Sequence, residues 1–112
     1  MKLNYDNLSK KYLNLFENKD RCDFVLTDVL FAFEELYGAI SGPKINSILE
    51  IGSGTGILLN ELSTIFPEKN FFGLDPHESG FHNYENIKKK LSNNENLEFK
   101  KTNLKDLYNK AQ

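Results

Sequence analysis

The sequence predicts an α/β fold built on a parallel sheet with helices on both faces, and three observations lead there. A short apolar run, Ile45 to Ile51, is followed at once by glycines at positions 52, 54 and 56. Strand-like segments then alternate with segments of helical spacing. An acidic residue, Asp75, closes the second strand-like segment. Strands alternating with helices of this length imply βαβ units, whose right-handed crossovers lay the helices over the sheet.

Each element follows from its own pattern. Tyr5, Leu8, Tyr12, Leu15 and Phe16 predict an amphipathic helix over 5–17. Leu26, Val29, Leu30, Phe33, Leu36, Tyr37 and Ile40 repeat at i, i+3, i+4 and i+7 and predict a helix over 23–39. Ser41-Gly42-Pro43 stops it, with glycine and proline in terminating places. Ile45 to Ile51 reads as the first strand, nearly all apolar as buried parallel strands are. Leu58, Leu62, Ile65 and Phe66 make the next helix, ended by Pro67. Asn70 to Leu74 is a short aromatic strand. Phe81, Tyr84, Ile87 and Leu91 predict another helix, the polar run 93–96 a loop, Leu97 to Lys101 a third strand, and 104–110 a last short helix.

Composition sets the class. A chain of 112 residues with 39% hydrophobic and 27% charged residues suits one globular domain. It is organised as an N-terminal helical cap over 1–44 and the sheet region over 45–112. The fourteen asparagines are a bias of composition, because the apolar pattern survives between them. The net charge of −2 carries no basic excess and does not recommend nucleic acid as a partner. Cys22 stands alone, which rules out an intrachain disulfide and fits a reducing compartment. The polar N-terminus is no signal peptide. The stretch Phe24 to Phe33, interrupted by Asp28, is too short to span a bilayer. The expected setting is the cytoplasm, without a membrane partner. His77 and His82 are five apart and do not share a helix face, so no metal site is expected. Lys88 to Lys90 reads as a solvated helix face.

The glycines carry the chemistry. They follow a strand and open a helix, at the end of a parallel strand where open α/β sheets bind ligands. Glycine permits the tight turn and lets a ligand approach with no Cβ in the way. Gly52, Gly54 and Gly56 should therefore floor a small-molecule site. A phosphate loop would need a lysine after its last glycine, and none follows. A dinucleotide fingerprint would place its third glycine at 57, where Ile57 stands. The spacing is GxGxG, with Glu50 two residues before the first glycine.

At these residues the sequence resembles class I S-adenosylmethionine-dependent methyltransferases. EIGSGTG, residues 50–56, is similar to their motif I, written [DE]xGxGxG. NFFGLDP, residues 70–76, is similar to the strand whose terminal acid holds the ribose hydroxyls. The resemblance covers about residues 45–107 and implies a Rossmann-like sheet. It implies cofactor-binding roles for Glu50, Gly52, Ser53, Gly54, Gly56 and Asp75, with Glu50 near the methionine end. Independently of the family, a carboxylate ending the second strand can accept two hydrogen bonds from a diol and repels a 2′-phosphate. LEFKKTNLKDL, residues 97–107, resembles the third-strand segment, where an aspartate often meets the adenine amino group. Asn103 stands at the matching place, with Asp106 as fallback. Asp75 also suits a helix N-cap behind Pro76, and Asn103 a polar turn.

The resemblance implies S-adenosylmethionine as cofactor and transfer of its sulfonium methyl to an acceptor left open. It assigns no catalytic residue. The family's sheet has seven strands, and this chain accommodates three, so the domain is expected to be truncated after the third strand. Strand four normally lies beside strand one, which leaves Ile48 to Ile51 as an edge. Two rivals stand beside the methyltransferase reading. One is a non-catalytic half-domain, a binding or assembly module completed by a partner chain or a second copy over that edge. The other is an NAD-dependent oxidoreductase on the same sheet, against which the GxGxG spacing argues.

Overall fold

The structure, a computed structural model, describes residues 3–76 and 84–111. The chain forms two compact units, Met1–Gly42 and Pro43–Gln112. His77, Phe81 and His82 lie outside the described residues.

The first unit holds α1, Tyr5–Tyr12, and α2, Lys19–Ile40, which pack on each other. The single helix expected over 5–17 is shorter. After Tyr12 the chain makes one 3-10 turn, Leu13–Leu15, and Phe16 is extended. The reason lies in the asparagines. The side-chain oxygen of Asn4 accepts from the Asn7 amide at 2.9 Å, and that of Asn18 from the Arg21 amide at 2.8 Å. Each satisfies a free N–H at a helix start, so Asn18 begins α2 four residues earlier than the apolar pattern suggests. The buried stripe of α2 is Cys22, Val25, Leu26, Val29, Phe33 and Ile40. Leu36, expected in it, is exposed.

The second unit is the α/β part. It comprises β1 Ser47–Ile51, α3 Ile57–Ile65, β2 Asn70–Leu74, α4 Tyr84–Lys89, β3 Leu97–Lys100 and α5 Leu104–Ala111. The three strands form one parallel sheet in the order β1-β2-β3. The α/β class with helices around a parallel sheet is therefore the observed one. The register aligns Glu50, Gly73 and Phe99 in one row across the sheet, and Ile48, Phe71 and Leu97 two residues earlier, on the same face. This is the face on which α3 packs: Leu59 reaches Gly73, and Ile57, Leu59, Leu62 and Phe71 are at most 1% exposed. No helix among the described residues is long and apolar enough to cross a membrane.

The expectation for β1 needs correction. Its apolar run predicts a strand buried on both faces, yet Leu49 and Ile51 are 49% and 59% exposed. Among the described residues β1 pairs only with β2 and forms an edge of the sheet. Leu49 shares its outer face with Phe72, also exposed.

The loop before β3 anchors the carboxyl end of α3. The side-chain amide of Asn96 donates toward the carbonyls of Ser63, Phe66 and Lys69 at 2.9–3.1 Å. The side-chain oxygen of Asn60 accepts from the Ser92 amide at 3.1 Å. Ser63 is in the last turn of α3, Phe66 is its C-cap and Lys69 precedes β2, so the polar 92–96 segment ties the helix end and the connection after it, structural work that its composition alone hides.

Candidate functional site at the carboxyl ends of the strands

The turn after β1 is pinned to β2. The amides of Gly52 and Ser53 both donate to the Leu74 carbonyl, at 2.7 and 3.0 Å. The Gly54 amide donates to Oδ2 of Asp75 at 2.6 Å. Gly52, Gly54 and Gly56 all have positive φ, +79°, +57° and +82°, which explains why no side chain is tolerated easily at any of them.

The three glycines nevertheless differ. A Cβ on Gly52 would meet nothing within 4 Å, and this is the open approach a ligand needs. A Cβ on Gly54 would touch the Tyr84 ring at 3.8 Å. At Gly56 the space is already filled, because a Cβ there would lie 2.5 Å from Cζ of Phe99 and 3.1 Å from Cδ1 of Leu91. Gly56 admits the third strand's aromatic ring to the start of α3, where it takes the N-cap position. Gly73 makes room for the same ring at 2.7 Å.

Glu50 and Asp75 stand on either side of this turn. Asp75 is 3% exposed, and its side chain serves the Gly54 amide. Among the described residues, Oε1 of Glu50 is buried without a hydrogen-bond partner, and so is Oγ of Ser53. Burial pushes the Glu50 carboxyl up to about 7; Lys88 opposes the rise and Asp75 adds to it. Lys88 is the unexpected member. Lys89 and Lys90 are exposed, but Lys88 is half-buried and its Nζ lies 5.5 Å from the centre of the Phe99 ring. Burial lowers its pKa, against the attraction of Asp75, Glu85 and Glu50. The signal was present: Tyr84, Ile87, Lys88 and Leu91 fall at i, i+3, i+4 and i+7, so Lys88 is on the apolar face.

A cavity of about 360 Å³ opens at the ends of β2 and β3, lined among others by Asp75, Tyr84, Glu85, Lys88 and Phe99. Lys101 pairs with Glu85 at its rim, at 2.7 Å. A larger cavity, about 540 Å³, lies at the opposite end of β2 between Ser63, Asn70, Asn94 and Asn96. The smaller one has the chemistry, since it brings two carboxylates, four lysines and two aromatic rings together.

Asn103 is away from this cluster. It is exposed and caps α5, its side-chain oxygen accepting from the Asp106 amide at 2.7 Å. Asp106 is exposed in the first turn of that helix.

Three parallel strands in one sheet, with a glycine turn leading from the first into a helix, define a Rossmann-like α/β domain. A model of the family described as "Putative methyltransferase" matches residues 44–111, and the chain belongs to this methyltransferase family. Neither a curated protein nor a solved structure matches it.

Proposed function

We propose that the chain binds S-adenosylmethionine at the turn after β1 and serves methyl transfer to an acceptor. The carrying observation is the pair of buried polar atoms that have no hydrogen-bond partner among the described residues, Oε1 of Glu50 and Oγ of Ser53, beside the open approach at Gly52. Buried polar atoms want partners, and a cofactor with an ammonium, hydroxyls and a sulfonium supplies donors and positive charge. In this reading Glu50 faces the methionine end, the 52–56 backbone borders the cofactor, and Asp75 serves the ribose. Asn103 can accept from an adenine amino group only by sharing an oxygen that already caps α5. When bound, the cofactor supplies an activated methyl group. The protein's part is to hold and orient it against the acceptor.

Calorimetric titration tests this. S-adenosylmethionine should bind, Asp75→Ala should weaken it at least tenfold, and NAD should not bind. A folded chain that takes up no S-adenosylmethionine overturns the proposal.

A second reading has its own observation. Leu49 and Ile51 are exposed on an edge strand, the arrangement proteins normally cover. It is a chain that adds β1 to a second polypeptide, copy or partner. Sedimentation over a hundredfold concentration range tests the copy, which requires a concentration-dependent rise in mass.

A further inference from the structure

Helix α2 carries a second apolar feature, on the side away from its buried stripe. Phe24 and Phe31 are 61% and 68% exposed. They stand two turns apart on one face, about 10 Å along the axis. Beside Phe31 a notch of about 240 Å³ opens between Thr27, Leu30, Phe31 and Glu34. We propose that this face of α2 docks a partner protein, which lays a basic amphipathic helix along it, with an aliphatic side chain in the notch and an arginine over the Phe31 ring. The inference is independent of the cofactor reading.

The charges choose the partner. Asp28, Glu34 and Glu35 lie at i−3, i+3 and i+4 from Phe31, the positions that neighbour it on a helix surface. All three are exposed, and none has an ion-pair partner among the described residues. Phe24 shows what such a ring accepts, since the Arg21 guanidinium lies 5.3 Å from its centre, an attraction between a cation and the ring face. Among the described residues no cation lies over Phe31. A guanidinium placed there meets an aromatic face and carboxylates at once, and arginine suits both better than lysine does. The Thr27 hydroxyl already donates to the Asp23 carbonyl at 2.8 Å, so it asks nothing polar of a side chain entering the notch.

The same charges disfavour a second copy as the occupant. The basic residues of α2 are Lys19 and Arg21. Lys19 is held by Asp23 at 2.7 Å, and Arg21 is engaged on Phe24. Two such faces brought together set unpaired carboxylates against one another, which is unfavourable. A helix with apolar residues at heptad spacing instead meets Phe24, the notch and Phe31 in turn, with its basic flanks over the carboxylates.

The test uses the 112-residue chain and a dye-labelled three-heptad peptide with leucine at a and d and arginine at e and g, read by fluorescence anisotropy. The peptide should bind saturably, and more weakly as salt is raised. Phe31→Ser should weaken binding about tenfold, and so should Asp28→Asn combined with Glu34→Gln and Glu35→Gln. These side chains are exposed, so the variants should keep the wild-type helix content by circular dichroism. Glu68→Gln, Glu95→Gln and Glu98→Gln together remove exposed carboxylates elsewhere and should change binding by less than about twofold, since distant surface charges are screened. A lysine version of the peptide should bind more weakly, and a glutamate version not at all. Absence of binding, equal affinity for the lysine or glutamate version, or an equal loss from the distant carboxylates overturns the inference. So does a sedimentation mass that rises with concentration and returns to the monomer in Phe31→Ser, which would give the face to a second copy.

Discussion

The Asp75 carboxylate receives the Gly54 amide proton across 2.6 Å, so the acid that ends β2 holds the turn that follows β1. A hydrogen bond to a charged acceptor contributes about 1.5–3 kcal/mol. Asp75→Ala should cost the folded chain about that much, seen as a lower urea midpoint. Asp75→Asn keeps an acceptor at the same place and should cost less. The two variants thus separate support of the turn from any role toward a ligand.

Gly56 and Gly52 should respond differently to alanine, although both have positive φ. Gly52→Ala meets open space and carries only the backbone strain, about 1–2 kcal/mol. Gly56→Ala carries the same strain and also drives a methyl into the Phe99 ring, for a further 1–3 kcal/mol or so. Phe99→Leu should recover part of that second cost when combined with Gly56→Ala. Denaturant midpoints of the two single variants and the double variant measure the coupling.

Glu50 should make stability fall with rising pH. Its folded midpoint of about 7 lies above the ordinary 4.5, so the folded chain binds the proton more tightly than the unfolded one. The favourable contribution is complete below 4.5 and is lost as pH rises through 7. At 1.36 kcal/mol per unit the loss is on the order of 3 kcal/mol. Glu50→Gln should remove this component, and thermal unfolding of both proteins between pH 4.5 and 8.5 checks it.

Asn96→Ala should destabilise the second unit by about 1–3 kcal/mol, because it removes the side-chain amide that serves the carbonyls of Ser63, Phe66 and Lys69 between α3 and β2. Hydrogen exchange should show the increase in the amides of the last turn of α3 before those of β2.

Cys22 is fully buried, and burial raises its thiol pKa against a smaller pull from Lys19. A disulfide reagent should leave it untouched in the native chain and titrate one thiol in denaturant. Rapid native reaction would contradict the packing of α2.

The strands and the α3 helix were legible in the sequence because their signals are local. Asn70 to Leu74 is the strand predicted, and Pro67 follows the end of α3 as expected. What escaped was whatever depends on a partner far along the chain. Asn18 and Asn96 look alike as letters. One caps a helix start three residues away, and the other serves carbonyls about thirty residues away. The apolar run of β1 suggests burial on both faces, and its outer face could be placed only once its neighbours were known. In the candidate site, Glu50 and Asp75 could be singled out from spacing. Lys88 was hidden inside a triplet of lysines, and Phe99 inside an ordinary alternating strand. Asn103 showed the limit of motif matching, since an asparagine ahead of a helix already has a local use.

The ring of Phe99 fits against the chain because positions 56 and 73 both lack side chains. The three positions are therefore one inherited unit, although they lie in the first turn, the second strand and the third. A drift to alanine at 56 would survive selection only alongside a smaller residue at 99, and relatives of this chain should record that trade as paired changes. The glycine of the first motif would then track the history of the third strand as closely as it tracks any ligand.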